Sequence, residues 1–104
     1  MNSKKDQELN LNVEINRLVH EPVRLKILAY LSLVESADFV FLVSRIGLTM
    51  GNLSAHVSKL AEAGYIKVIK EFKDNRPHTM ISLTQAGRDA FFNYREEILQ
   101  ILKE

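Results

Sequence analysis

The chain has 104 residues, 46% of them hydrophobic and 26% charged, enough to bury one core and too few for two. Fourteen Lys and Arg against thirteen Asp and Glu leave a net charge of +1, so composition alone points to no nucleic acid, and any basic surface must come from local segregation of charge. The sequence has no cysteine, which excludes disulfides, thiolate zinc sites and cysteine nucleophiles and suits a reducing, cytoplasmic setting.

The opening MNSKKDQELN has no apolar signal core, and no apolar run approaches the ~20 residues of a membrane span. Residues 1–8, polar and mixed in charge, are expected to form a disordered tail, with one domain over 9–104. Leu11, Ile15 and Leu18 fall at helical spacing and predict a first helix near 11–19. Pro22 suits the first turn of a second helix, whose buried face is Val23, Ile27, Leu28 and Leu31 and whose end is expected near Val34. Asp38 can cap a short third helix through Phe39, Leu42, Val43 and Ile46, closed by Gly47 in the left-handed conformation. Only Gly47 and Leu48 then precede the next cap, Thr49, and Gly64 can end the helix that Thr49 begins.

Within 49–63, Leu53, Val57 and Leu60 recur at i, i+4 and i+7 and should face the core. Gly51, Asn52, Ser54, Ala55, Ser58 and Lys59 project elsewhere, a small, polar surface almost free of acid. His56 lies about 60° from Leu53 on a helical wheel, a half-buried boundary position. Two helices joined this tightly fit a helix-turn-helix, and an ordinary αα-hairpin equally well. The segment after Gly64 is more specific. YIKVIKEF is rich in β-branched and aromatic residues, KDNRPH carries turn residues, and TMISL reads as a returning strand, so 65–83 should be a β-hairpin with a charged tip. Thr84 can cap a last helix over about 84–104. The expected fold is mainly α with a small antiparallel β-hairpin.

The run NLSAHVSKLAEAGYI, the Arg76-Pro77 tip and the junction ISLTQAGRDAF, in this order, resemble the small winged helix-turn-helix transcriptional regulators related to the MarR and ArsR groups, over nearly the whole chain. The resemblance implies that helix 49–63 enters the major groove of double-stranded DNA while the wing, 65–83, lies on the backbone. Carried over by position, Thr49, Gly51, Asn52, Ser54, Ala55, Ser58 and Lys59 form the helix surface. Asn52 can pair with an adenine edge, Ser54 and Ser58 can bond phosphate or base, and Lys59 can reach a phosphate or guanine. Gly51 permits close backbone approach near the positive end of the helix dipole. In the wing, Lys73, Arg76 and His78 supply charge or donors, Asn75 an amide and Pro77 stiffness, with Asp74 opposing. Taken alone, such a loop is a solvated surface and its Asp-Asn pair turn chemistry.

His20, His56 and His78 sit in different segments with no nucleophile-base arrangement, and the four glycines form no phosphate-cradling loop, so no enzyme and no cofactor are expected. No His/Asp cluster has metal-ligand spacing. On a wheel of 86–104, the apolar residues from Ala90 to Leu102 cover an arc of about 200°, wider than the ~100° stripe of a one-sided helix. A second subunit can cover the excess, with the N- and C-terminal helices used for dimerisation and Leu9, Leu11, Phe92, Leu99 and Leu102 as interface candidates. With Lys59 as the single cation on the helix surface, one copy should bind weakly, and a homodimer raises avidity on a pseudo-palindromic operator with half-sites ~10 bp apart. Repression is the mode the resemblance implies, with no effector specified. The competing reading is a winged helix that docks proteins without sequence-specific DNA binding. That reading calls for apolar exposure on helix 49–63, where the sequence instead places Gly, Asn, Ser, Ala, Ser and Lys.

Overall fold

Each helix begins where a side chain can stand in for the missing intrahelical acceptor. A computed structural model describes residues 11–103. In it, α1 spans Pro22–Leu31, α2 Phe39–Ile46, α3 Met50–Glu62 and α4 Gln85–Ile101. Glu21 caps α1 by accepting from the Arg24 N–H at 2.7 Å. Asp38 caps α2 through the Val40 and Phe41 N–H groups, Thr49 caps α3 through Asn52, and Thr84 caps α4 through Gly87. Gly47 at φ +80 closes α2. Gly64, at φ +81, ends α3 in a Schellman arrangement, with Tyr65 N–H donating to Leu60 O and Gly64 N–H to Ala61 O.

Two expectations need correction. Residues 11–21 contain no helix, only turns and irregular backbone. Asn16 explains why: its Oδ1 accepts from the Leu18 and Val19 N–H groups at 3.0 and 3.2 Å, a local alternative to the helical ladder. Its own N–H donates to Glu97 Oε1, and its Nδ2 donates to the Tyr65 hydroxyl, both at 3.0 Å. Tertiary partners therefore override the helical spacing, and Ile15, Leu18 and Val19 reach the core from an irregular segment. The expected disordered tail, 1–8, lies outside the described residues. The second helix ends at Leu31, three residues short of Val34, where the Ser32 hydroxyl turns back to donate to Ala29 O at 2.6 Å.

The early stop leaves room for a strand that periodicity did not reveal, β1, Ala37–Asp38. With β2, Ile66–Lys73, and β3, Arg76–Leu83, it forms an antiparallel sheet of order β1-β3-β2. Ala37 pairs with Ile81 and Asp38 with Met80, while β2 and β3 run in register from Ile66↔Leu83 to Lys73↔Arg76. Asp74 and Asn75, at φ 56 and 62, make the two-residue turn that matches the right-handed twist of a hairpin.

Ile27, Leu28 and Leu31 of α1, Leu42 of α2, Leu53, Val57 and Leu60 of α3, Ile66 and Ile81 of the sheet and Tyr94 of α4 are buried together. The wing is rooted in this core at one end only. There Thr84 N–H donates to Tyr65 O at 3.0 Å, and the Thr84 hydroxyl donates to Gly64 O at 2.6 Å. Gly87 lets α4 approach the wing root so closely that a Cβ at that position would overlap the Tyr65 carbonyl.

Candidate nucleic-acid interface

Helix α3 is held by one face and displayed by the other. Leu53 and Leu60 are fully buried and Val57 nearly so, whereas Thr49, Gly51, Asn52, Ser54, Ala55, Ser58 and Lys59 are all exposed. Truncating a buried Leu of this kind costs about 2–5 kcal/mol, so the inward stripe fixes the rotation of the helix and with it what faces outward. His56 is half-buried at the edge of that stripe. Its Nδ1 lies 3.2 Å from Arg24 Nη1 and 3.7 Å from Glu21 Oε1, while Arg24 Nε donates to Leu18 O at 2.6 Å. This cluster ties α3 to the start of α1, so His56 belongs to the support of the helix.

The wing runs beside the displayed face. Lys73, Asp74, Asn75 and Arg76 at its tip are exposed. Lys73 and Arg76 stand directly opposite each other, a juxtaposition of like charges that disfavours an isolated hairpin and favours an anion beside it. Ser54 and Ser58 of α3 share a cleft with Val68 and Lys70 of β2 and Thr79 of β3. Lys70 is missing from the residues that sequence spacing singles out, although its place two residues before Phe72 puts it on a definable strand face. Arg76 and Pro77 line a second cleft, with Val40, Phe41 and Met50 on its other wall.

His78 is set apart from the tip. Its Nδ1 lies 2.8 Å from Asp38 Oδ2, so this nitrogen carries the proton and donates it to the carboxylate. The same carboxylate caps α2 through its other oxygen. The His78 hydrogen bond holds the Asp38 pKa below its ordinary value, against the opposing effect of burial and with help from the Phe41 and Val40 N–H groups and the imidazole charge. His78 thus links the lower wing to the start of α2, whereas Lys73, Asn75 and Arg76 remain at the free end.

Helix α4 divides its apolar arc. Ala90, Phe91, Tyr94 and Ile98 pack inward, with the Tyr94 hydroxyl 2.8 Å from His20 Nδ1. Phe92, Leu99 and Leu102 are exposed, as is Leu11, each by half or more of its surface; Leu9 lies outside the described residues. Among the described residues no group of three or more His, Asp or Glu is placed to hold a metal ion, and no helix is long and apolar enough to cross a membrane.

Comparison with known proteins agrees with this arrangement. An uncharacterized protein of Methanocaldococcus jannaschii is 41% identical over 87 residues, 84% of this chain and 95% of that one. A transcriptional regulator homologue from Pyrococcus horikoshii superposes with a TM-score of 0.80 at 25% identity, covering 98% of this chain and 95% of its own. A mutant MarR from E. coli, complexed with operator DNA, shares the fold at a TM-score of 0.70 and 22% identity, with 97% and 70% covered. Residues 23–102 match the family model described as a winged helix DNA-binding domain. That match takes in α1 from its second residue, the other three helices and the wing, and the protein belongs to the winged helix DNA-binding domain family.

Proposed function

We propose that the protein is a sequence-specific, DNA-binding transcriptional regulator that acts as a homodimer. Helix α3 enters the major groove, and the wing lies along the sugar-phosphate backbone. The observation that carries this reading is the outer face of α3: beyond the exposed Met50 at its start, an exposed surface of small and polar side chains, held rigidly from behind and flanked by a hairpin with Lys73 and Arg76 at its tip. Small residues let the helix sit deep in the groove, Asn52 offers the donor-acceptor pair that matches an adenine edge, and Lys59, Lys73 and Arg76 neutralise phosphates. The exposed Phe92 and Leu99 of α4 and Leu102 at its C-cap, with Leu11, form the surface on which two copies meet. Two readers linked in this way bind one pseudo-palindromic operator with the avidity that one weakly basic copy lacks. A dimer clamped across a duplex excludes other proteins from the same base pairs, and repression is the regulatory mode proposed.

Selection of bound duplexes from a random pool tests the proposal. The expected product is a pair of inverted half-sites about one helical turn, ~10 bp, apart. Recovery of no enriched sequence would refute the reading of α3.

A further inference from the structure

Phe72 is 78% exposed, the most exposed aromatic side chain among the described residues. It lies one residue inside the wing tip, directly opposite Pro77. Because Asp74 and Asn75 form a two-residue turn, Lys73 and Arg76 are the hydrogen-bonded pair that closes the hairpin. Phe72 and Pro77 are then the next, non-hydrogen-bonded pair, in which facing side chains lie closest. At such a position an N–H points away from the partner strand, so Pro77 costs the β2–β3 ladder nothing and stiffens the backbone behind the ring. Strand alternation puts Phe72 and Pro77 on the same face as Val68, Lys70 and Thr79, and those three line the cleft shared with Ser54 and Ser58 of α3. The pair therefore projects from the side of the wing that α3 shares.

The charges around this pair indicate its occupant. Lys70 precedes Phe72 on the same face, and Lys73 and Arg76 border the pair toward the tip. Glu71, Lys73 and Arg76 alternate to the opposite face, where Glu71 stands across from His78 and the two cations lie one pair nearer the tip than Phe72 and Pro77, and Asp74 is confined to the turn. An apolar pair with Lys70 on its own face and two further cations at the adjoining tip fits a polyanion that can also accept an apolar insertion.

Building on the DNA-binding reading, we infer that Phe72 and Pro77 form an apolar wedge for the minor groove of duplex DNA. The wedge partly unstacks one base step per wing, while Lys70, Lys73 and Arg76 hold the flanking phosphates. Pyrimidine–purine steps unstack most easily, so the wedge adds a sequence preference at a position that α3 does not touch.

The test uses the full chain and a duplex selected from a random pool, with 2-aminopurine substituted in turn at each step of the flanks. Wild type should raise the fluorescence at one step on each flank and bend the duplex, as read by gel mobility of permuted sites. Phe72→Ala should abolish both signals and lower affinity by on the order of tenfold. It should leave the dependence of affinity on salt unchanged, since no charge is removed. Phe72→Leu, which keeps an apolar wedge, should keep the bend. Bending and fluorescence that persist in Phe72→Ala would overturn the wedge while leaving salt-dependent wild-type binding, and so the reading beneath it, intact. A change in the sedimentation mass of free Phe72→Ala would overturn it in favour of a ring covered by a second copy. Failure of the wild type to bind any duplex would overturn both.

Discussion

Replacing Gly87 with alanine sets two elementary effects against each other, and their magnitudes differ enough to fix the sign. Gly87 lies in the first turn of α4 without a positive φ, so helix propensity alone favours alanine by about 0.5–1 kcal/mol. The added Cβ, however, would overlap the Tyr65 carbonyl oxygen and lie 2.8 Å from the carbonyl carbon and 2.9 Å from Leu83 Cδ1. The main obstacle is backbone and cannot rotate away, so α4 must retreat from the wing root. Overpacking of this kind costs about 1–3 kcal/mol. Retreat also stretches the bonds from Thr84 to Tyr65 O and Gly64 O, each worth about 1 kcal/mol. The net expectation is a loss of about 3 kcal/mol, or a melting temperature lower by roughly 10–20 °C for a chain of this size. Thermal unfolding followed by far-UV circular dichroism, at one fixed protein concentration because the proposed dimerisation would couple to stability, measures it. Gly51→Ala is the matched control: nothing lies within 4 Å of a Cβ there, so the same substitution should raise stability by about 0.5–1 kcal/mol. If Gly87→Ala melted at or above wild type, the close approach of α4 to the wing root would be refuted.

Phe92→Glu combined with Leu99→Glu should convert the proposed dimer to monomers in sedimentation; an unchanged mass would eliminate this face of α4 as the interface. Arg76→Ala should weaken binding to all duplexes similarly, whereas Asn52→Ala should change the ranking of operators, with about 1–3 kcal/mol of discrimination lost at the contacted base. Exchanged phenotypes would mean that helix and wing have the opposite roles. Asp38 titrates below its ordinary value of 3.8 because His78 donates to it, so its contribution to stability is complete above that value and disappears as pH falls through the lower, folded one. Asp38→Asn should therefore be less stable than wild type at pH 6 and should lose less stability between pH 5 and 2; parallel pH curves for the two proteins would contradict the link.

Features set by neighbours along the chain are legible in the residues themselves. The caps Asp38, Thr49 and Thr84, the left-handed glycines Gly47 and Gly64 and the Leu53, Val57, Leu60 stripe depend on residues within about two turns, and the structure places them as expected. The segment 11–19 misleads because Asn16 takes its partners from Glu97, 81 positions away, and Tyr65, 49 away, contacts that no local spacing encodes. Strand β1 has two residues, too few for an alternation to register. The same limit applies at the candidate site. Periodicity separates the inner from the outer face of α3, but spacing alone assigns His78 to the tip, because its partner, Asp38, lies 40 positions away. Phe72 reads as an ordinary strand residue, since alternation distinguishes the two faces of a hairpin without revealing which end runs clear of the core.

If α3 and the wing of each protomer grip a DNA duplex largely through Lys59, Lys73 and Arg76, salt must compete directly with that grip. The decisive measurement is the affinity of the full chain for its selected duplex across salt concentrations, beside Arg76→Ala. The three phosphate contacts per protomer of Lys59, Lys73 and Arg76, doubled in the proposed dimer, predict a slope of log K on log salt of about −5, or about −7 where Lys70 adds a fourth, made shallower by about 2 in the variant. A slope near zero, or an unchanged slope in Arg76→Ala, would contradict this mode of binding.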